Sequence, residues 1–191
     1  LHVSDDMGDT WKIISPDLTT NDKSKQMQSE SGGLSMDNSG AENHTTIFTI
    51  AESPIDQNVI WVGTDDGNVQ LTTDGGNSWR NLISNINGVP KNTWVYHIEP
   101  SVHNLGTAYV VFDGHTTGDM NAYTYKTEDF GLTWENIIPN NDVYGFARSI
   151  QEDYINPNLL FLGTEFGLYI SINGGDTWNK FENNVPPVAI H

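Results

Sequence analysis

Short runs of residues rich in Val, Ile, Tyr, Phe and Trp, in which apolar and polar positions alternate, follow one another along this 191-residue chain. Gly, Asn, Asp and Pro separate the runs, and this pattern is typical of β-strands joined by turns. No stretch repeats its apolar residues with the helical period of about 3.6. The pattern therefore predicts an all-β fold with strands grouped over 46–83, 93–138 and 145–182.

An eight-residue pattern occurs four times, as SDDMGDTW (4–11), TTDGGNSW (72–79), TEDFGLTW (127–134) and SINGGDTW (171–178). Each copy reads Ser/Thr, any residue, Asp/Asn, any residue, Gly, any residue, Ser/Thr, Trp, and we call these copies the turn boxes. Their Trp residues are 68, 55 and 44 residues apart. The shortest spacing matches the roughly 40–50 residues of a four-stranded propeller blade. The longer spacings indicate inserted loops.

The composition of the turn boxes favours a structural role. The Asp or Asn can accept backbone N–H bonds two residues on, the Gly allows an unusual backbone angle, and the Trp can pack on a neighbouring sheet. Catalysis and calcium binding are the alternatives, but an EF-hand loop needs acids at alternate positions and a distal Glu, which the boxes lack. The structural residues predicted in this way are Asp6, Gly8, Trp11, Asp74, Gly76, Trp79, Asp129, Gly131, Trp134, Asn173, Gly175 and Trp178.

The turn boxes resemble the Asp-box, or BNR repeat, of sialidases, xyloglucan-active glycosidases and sortilin/Vps10-like propellers. The segments VIWVGTDDGNVQLTTDGGNSWRNL and NLLFLGTEFGLYISINGGDTWNKF are most similar to a sortilin-like bacterial group that often carries the label glycosyl hydrolase. The resemblance implies a β-propeller of four-stranded antiparallel blades, with an Asp-box turn between strands three and four of each blade. It also implies that ligands bind on the face opposite these turns.

The resemblance and the spacing together divide the chain into parts of one propeller over 1–191. Residues 1–14 are expected to end a blade and 15–45 to form a long inserted loop. Blades are expected over 46–83, 93–138 and 145–182, and 185–191 is expected to begin another. Because a propeller needs about four to eight blades to close, we expect the remaining blades to come from a longer polypeptide.

The charge balance excludes some partners. The chain has 25 acidic and 8 basic residues, a formal net charge of −17, and no cysteine. Nucleic acid would be repelled, and no apolar run approaches the roughly 20 residues of a membrane span. The lack of cysteine does not decide the compartment, but the resemblance to a group of secreted bacterial proteins implies an extracytoplasmic, secreted or cell-surface protein. No metal or cofactor site is predicted from a motif, although the acidic surface is compatible with calcium.

Candidate functional residues lie in the loops expected on the ligand face. The candidate catalytic acids are Asp65, Asp113 and Glu165, since a glycosidase uses two carboxylates roughly 5–10 Å apart. A sialidase is disfavoured because it needs an arginine cluster and the chain contains only Arg80 and Arg148. The candidate ligand-binding residues come from one polar hairpin, from two aromatic positions and from the inserted loop. They are Asp113, His115, Asp119, Trp94, Tyr96, Glu42 and His44.

Three functions remain open from the sequence. The first is a non-catalytic propeller that holds a protein, peptide or glycan ligand on its loop face. The second is a glycoside hydrolase whose loop carboxylates come partly from the missing blades. The third is a purely structural ring in a larger assembly.

Overall fold

The structure is a computed structural model and describes residues 1–26, 44–138 and 143–191. It contains one two-stranded and three four-stranded antiparallel sheets among these residues. The strands are β1 (His2–Val3), β2 (Lys12–Ile13), β3 (Ile47–Glu52), β4 (Ile60–Thr64), β5 (Val69–Thr72), β6 (Arg80–Asn81), β7 (Trp94–Pro100), β8 (Ala108–Asp113), β9 (Tyr123–Thr127), β10 (Glu135–Asn136), β11 (Ala147–Glu152), β12 (Leu160–Thr164), β13 (Gly167–Ser171) and β14 (Asn179–Lys180). Short 3-10 helices occupy Lys23–Lys25, Ile83–Asn85 and His115–Thr117.

Each four-stranded sheet is a simple meander. We call β3–β6 blade 1, β7–β10 blade 2 and β11–β14 blade 3; β1 and β2 form a partial blade before them. The first strands lie at the inner edge, because β3 packs against β7 and β7 packs against β11. The last strands are two residues long and exposed, and they form the outer edge. The predicted four-stranded antiparallel organisation is therefore confirmed.

The apolar core fills the spaces between successive blades. Trp61 and Val95 are fully buried between blades 1 and 2. Leu162 and Ile150 are buried between blades 2 and 3. Burial of each such side chain is worth roughly 1.5–3 kcal/mol. Packing between neighbouring blades therefore contributes to the stability of each blade.

The turn boxes connect the third and fourth strands of each sheet through side-chain hydrogen bonds. In the second box, Thr72 donates to Asp74 (2.8 Å) and accepts from the Gly76 N–H (2.9 Å). The Asp74 carboxylate also accepts from the Ser78 N–H at 2.8 Å. The prediction that the acid binds the N–H two residues on is wrong, because the N–H that Asp74 binds belongs to the residue four positions on. The reason is that the preceding Thr hydroxyl, rather than the acid, binds the Gly N–H and closes the tight part of the turn.

The same turns link neighbouring blades. The Trp79 indole donates to the Ile14 carbonyl (2.8 Å) of the partial blade, and Trp178 donates to the Ile137 carbonyl (2.7 Å) of blade 2. Gly76 has φ +92° and lies directly against Ile14, where a side chain would collide. The box glycine therefore has two functions: it adopts the left-handed backbone and lets the preceding blade approach.

A buried carboxylate makes a further link between blades 2 and 3. Glu152 is 2% exposed and accepts hydrogen bonds from the Ser101 hydroxyl (2.6 Å), the Val102 N–H (3.0 Å) and the Tyr109 hydroxyl (3.1 Å). Burial, together with the adjacent Glu152, raises the pKa of Tyr109 above its ordinary range. Three donors from one blade thus satisfy an acid from the next.

The loops segregate to two faces. The turn boxes contact the turns between first and second strands, as the Gly75 N–H donates to Asn58 and the Gly174 N–H donates to Asn158. Because strands alternate in direction, the loops between second and third strands and those that enter each new blade lie on the opposite face. We call that opposite side the loop face.

The beginning of the inserted segment is attached to the loop face. Leu18 is buried, and its carbonyl accepts from the side-chain amides of Asn68 (3.0 Å) and Gln70 (2.8 Å). The Asp66 carboxylate accepts from both the N–H and the hydroxyl of Thr20, each at 2.7 Å. These contacts place residues 18–20 against blade 1. At the other end of the chain, the Ile190 N–H donates to the Thr164 carbonyl at 3.0 Å.

Candidate functional site

A β-bulge interrupts the first strand of each blade at an equivalent position. The pairing register shifts between Ile47 and Thr49, between Val95 and His97, and between Ala147 and Ser149. The bulged residues are Phe48, Tyr96 and Arg148. Bulges redirect side chains and are common next to binding sites.

The three bulged side chains contact one another across the blades, and we call them the bulge row. The Phe48 and Tyr96 ring centroids are 5.2 Å apart, and the Arg148 guanidinium lies 4.8 Å from the centre of the Tyr96 ring. Trp94 packs on Phe48 with a centroid distance of 5.5 Å. The centre of the Phe146 ring lies 4.6 Å from the same guanidinium. The result is a continuous layer of aromatic and cationic groups across three blades, in which the Phe48, Trp94 and Tyr96 rings are partly exposed and Phe146 is buried.

Asp113 is buried next to the bulge row and forms an ion pair with Arg148 there. Arg148 donates to it at 3.1 Å, and His115 Nδ1 lies 2.7 Å from it. The His115 ring also stacks on Phe146, with centroids 4.8 Å apart and an interplanar angle of 14°. The Asp113 side chain has no exposed surface. Its carboxylate therefore positions Arg148 and His115 and has no exposed oxygen to offer a ligand.

Asp65 and Glu165 occupy the blade positions that correspond to Asp113. Asp113 pairs with Trp94 at the start of the first strand of blade 2. In the same way, the Asp65 N–H donates to the Thr46 carbonyl in blade 1, and the Glu165 N–H donates to the Phe146 carbonyl in blade 3. Asp65 is buried, and its carboxylate accepts from the Thr46 N–H at 2.7 Å. Burial raises the pKa of Asp65, and the neighbouring Asp66 charge acts in the same direction. Glu165 is half-buried.

Asp119 lies at the far end of the hairpin that Asp113 and His115 begin. Its carboxylate accepts from the Asn121 amide (2.7 Å) and the Tyr123 hydroxyl (2.8 Å), so its bonds stay within the hairpin. His44 is half-buried and lines a cleft described below. Glu42 lies outside the described residues. Within 1–26, 44–138 and 143–191, no group of three or more His, Cys, Asp or Glu residues is arranged to hold a metal ion.

A cleft of about 490 Å³ opens beside the bulge row. Lys25, His44, Lys91, Asn92 and Trp94 line it, together with two threonines of the hairpin. We call it the Trp94 cleft. It joins the aromatic surface to the inserted segment and to the loop that enters blade 2.

Phe48 and Arg148 were not among the residues predicted to bind a ligand, whereas Phe146 was named with Trp94, Tyr96 and Tyr144 as an aromatic residue near the start of a first strand. Phe48 and Arg148 also lie near the start of a first strand, at the blade position equivalent to Tyr96. A bulge depends on pairing between strands, so the alternation of residues alone does not reveal it.

Comparison with known proteins finds individual similar proteins but does not assign the chain to a family. No protein-family model matches the chain. A curated relative, the oligoxyloglucan-reducing end-specific xyloglucanase of Emericella nidulans, is 26% identical over 100 residues, which are 49% of this chain and 11% of that protein.

Solved structures resemble the whole fold. An ancestral GH74 enzyme matches with a TM-score of 0.63 and 18% identity, over 94% of this chain and 21% of its own. The GH74 xyloglucanase of Xanthomonas campestris matches with a TM-score of 0.62 and 20% identity, over 94% and 26%. YCF48 bound to D1 peptide matches with a TM-score of 0.55 and 17% identity, over 75% and 41%.

These likenesses confirm the predicted β-propeller fold. The chain spans less than half the length of each of these relatives. In the part of the chain that the structure describes, no helix is long and apolar enough to cross a membrane.

Proposed function

We propose that this chain is part of a non-catalytic β-propeller that holds a polymeric glycan on its loop face. The bulge row carries the proposal, because it presents aromatic rings from successive blades as one surface at the inner edge of that face. Rings on adjacent blades suit a ligand that is extended and repetitive. A glycan is both.

The chemistry of the bulge row suits sugar rings. The faces of a pyranose carry C–H groups that pack on aromatic rings, while its hydroxyls require hydrogen-bonding neighbours. Trp94 and Tyr96 are half-buried, so part of each ring is fixed by packing and part is accessible. Rigid aromatic groups bind with little loss of side-chain entropy. The xyloglucanase relative supports a glucan-type ligand.

The buried state of two of the three candidate acids, Asp65 and Asp113, favours binding over hydrolysis. A glycosidase needs one carboxylic acid that reaches the glycosidic oxygen and a second carboxylate across the bond. Asp113 is enclosed and paired with Arg148, and Asp65 is bonded to the backbone of Thr46. We therefore assign Asp113 a positioning role and assign Asp65 a structural one.

Glycoside hydrolysis is the second candidate function. The raised pKa of Asp65 favours it, since the general acid of a glycosidase is a carboxylic acid whose pKa its surroundings raise above the ordinary value. The xyloglucanase relative favours it as well. Under this alternative, Asp65 or Glu165 acts with a carboxylate from elsewhere in the protein.

We further propose that the chain belongs to the sortilin-like Asp-box group and that the protein works outside the cytoplasm. The support is the turn-box geometry, in which the Gly N–H donates to the first Ser/Thr hydroxyl in all four copies. A secreted or cell-surface protein would also meet the polymeric ligand itself.

The test is binding of soluble xyloglucan by the intact protein and by Trp94→Ala and Tyr96→Ala variants, measured by titration calorimetry. Each loss of a ring should weaken binding about tenfold or more. Tyr154→Ala is the matched control, because Tyr154 is 76% exposed on the face that carries the turn boxes. If Trp94→Ala, Tyr96→Ala and Tyr154→Ala bind equally well, or the intact protein binds no glycan, the proposal is wrong.

A further inference from the structure

Two clefts occupy equivalent positions on the loop face. The first junction cleft, about 500 Å³, lies between blades 1 and 2, and the second junction cleft, about 340 Å³, lies between blades 2 and 3. Both volumes fall within the roughly 300–1,000 Å³ typical of ligand pockets.

The equivalence of the clefts rests on local structure as well as position. Ile83 lines the first cleft and Ile138 lines the second, and each follows the Trp of its turn box by four residues. The Ile83 N–H donates to the Asn81 side chain (3.1 Å), and the Ile138 N–H donates to the Asn136 side chain (2.8 Å). The propeller repeat therefore forms a cleft at the equivalent blade junction twice.

The first junction cleft has an apolar floor and a polar rim. Phe112 and Ile86 are buried in its wall, while the Asn87 and Ser84 side chains line its edge. Asp66 is the one carboxylate among the described residues that line the cleft, and it is already bound to Thr20 and Thr64. This lining therefore offers no unpaired negative charge with which to attract a cation.

The second junction cleft has the same mixture. Tyr144 is 71% exposed and stacks on Phe166, with centroids 5.0 Å apart and an angle of 29°. Asn121, whose amide also donates to Asp119, lines the cleft with this pair, and Ile138 and Val143 form the buried wall. No carboxylate is present among the described residues that line it.

We propose that the two junction clefts are successive subsites, each of which takes one neutral pyranose unit of the same polymer. An apolar wall with exposed amides suits a ring that has C–H faces and hydroxyl edges. Two equivalent clefts one blade apart suit a ligand with identical units. This inference rests on the proposed function, because the polymer that enters the clefts is the one held by the bulge row.

The first junction cleft is continuous with the surface already described. Lys91 and Asn92 line both it and the Trp94 cleft, and Trp94 in turn packs on Phe48 of the bulge row. A chain held on the bulge row can therefore extend outward into the junction between blades 1 and 2.

The test compares a short and a long xyloglucan oligosaccharide on the intact protein. Asn87→Ala removes a polar contact from the first junction cleft, and Tyr144→Ala removes the ring from the second. For Tyr144→Ala we expect about tenfold weaker binding of the long oligosaccharide and little change for the short one. In the double variant, the affinity for the long oligosaccharide should fall by the product of the two single-variant factors. Tyr154→Ala is again the control.

The outcomes separate this inference from the proposed function. If Trp94→Ala abolishes binding but Asn87→Ala and Tyr144→Ala bind both lengths like the unmodified protein, the clefts are not subsites and the bulge row still binds the glycan. If the single variants weaken short and long oligosaccharides equally, the two clefts do not act as successive subsites. If no oligosaccharide binds to the unmodified protein, both proposals fail.

Discussion

Replacing the glycine of the second turn box tests how the blades are joined. A Cβ at position 76 would lie 2.7 Å from Ile14 Cβ and closer still to the Ile14 carbonyl oxygen. Gly76→Ala therefore has to push the partial blade away or distort the turn. Trp79 would then lose its 2.8 Å hydrogen bond to the same carbonyl.

The expected cost has three sources. A left-handed backbone at φ +92° costs a non-glycine residue about 1–2 kcal/mol. Overpacking against Ile14 costs about 1–3 kcal/mol. The lost indole hydrogen bond costs about 1 kcal/mol. We predict that Gly76→Ala lowers the free energy of unfolding by roughly 3–6 kcal/mol.

Gly118→Ala is the matched control, since Gly118 has φ +83° and a Cβ added there would meet nothing within 4 Å. It carries the backbone strain alone and should cost about 1–2 kcal/mol. The measurement is urea unfolding followed by tryptophan fluorescence. Equal costs for the two variants would show that the box glycine does not serve blade contact.

Three further predictions follow from the hydrogen bonds. Glu152→Ala should cost about 3 kcal/mol of unfolding free energy, because its three buried donors lose their acceptor, and Glu152→Gln should cost less; urea titration compares them. Hydrogen bonds from Ser78 and then Thr72 lower the pKa of Asp74 to about 2. The ionised Asp74 carboxylate therefore stabilises the folded protein fully above about pH 4, and this stabilisation is lost as the pH falls through about 2. Asp74→Asn should weaken this pH dependence of the melting temperature in thermal melts. Asp66→Ala should release the segment held through Thr20 and speed tryptic cleavage after Lys23; an unchanged rate would contradict that anchoring role.

The fold could be predicted because its signals are local. A turn box is closed by bonds among its own eight residues, so its pattern marks the turn between third and fourth strands wherever it occurs. Asn173 shows that the turn does not need a charged residue at this position. Its amide oxygen accepts from the Thr177 N–H at 3.0 Å, as the Asp74 carboxylate does from the Ser78 N–H.

The candidate site could be predicted only in part, because its contacts join residues that are far apart in the sequence. Sequence reasoning named Trp94, Tyr96 and Asp113, but the Arg148–Asp113 pair joins residues 35 positions apart and forms only when blades 2 and 3 pack. Phe48 joins the same surface through a bulge, which arises from strand pairing and leaves no trace in the alternation of apolar and polar residues.

Binding and turnover measured together on one sample test the central claim most directly. Soluble xyloglucan is titrated into the intact protein, and new reducing ends are counted in the same solution over time. We predict saturable binding that Tyr96→Ala weakens, with no increase in reducing ends. Reducing ends that accumulate with the intact protein and disappear with Asp65→Asn would contradict the binding function and establish hydrolysis in its place.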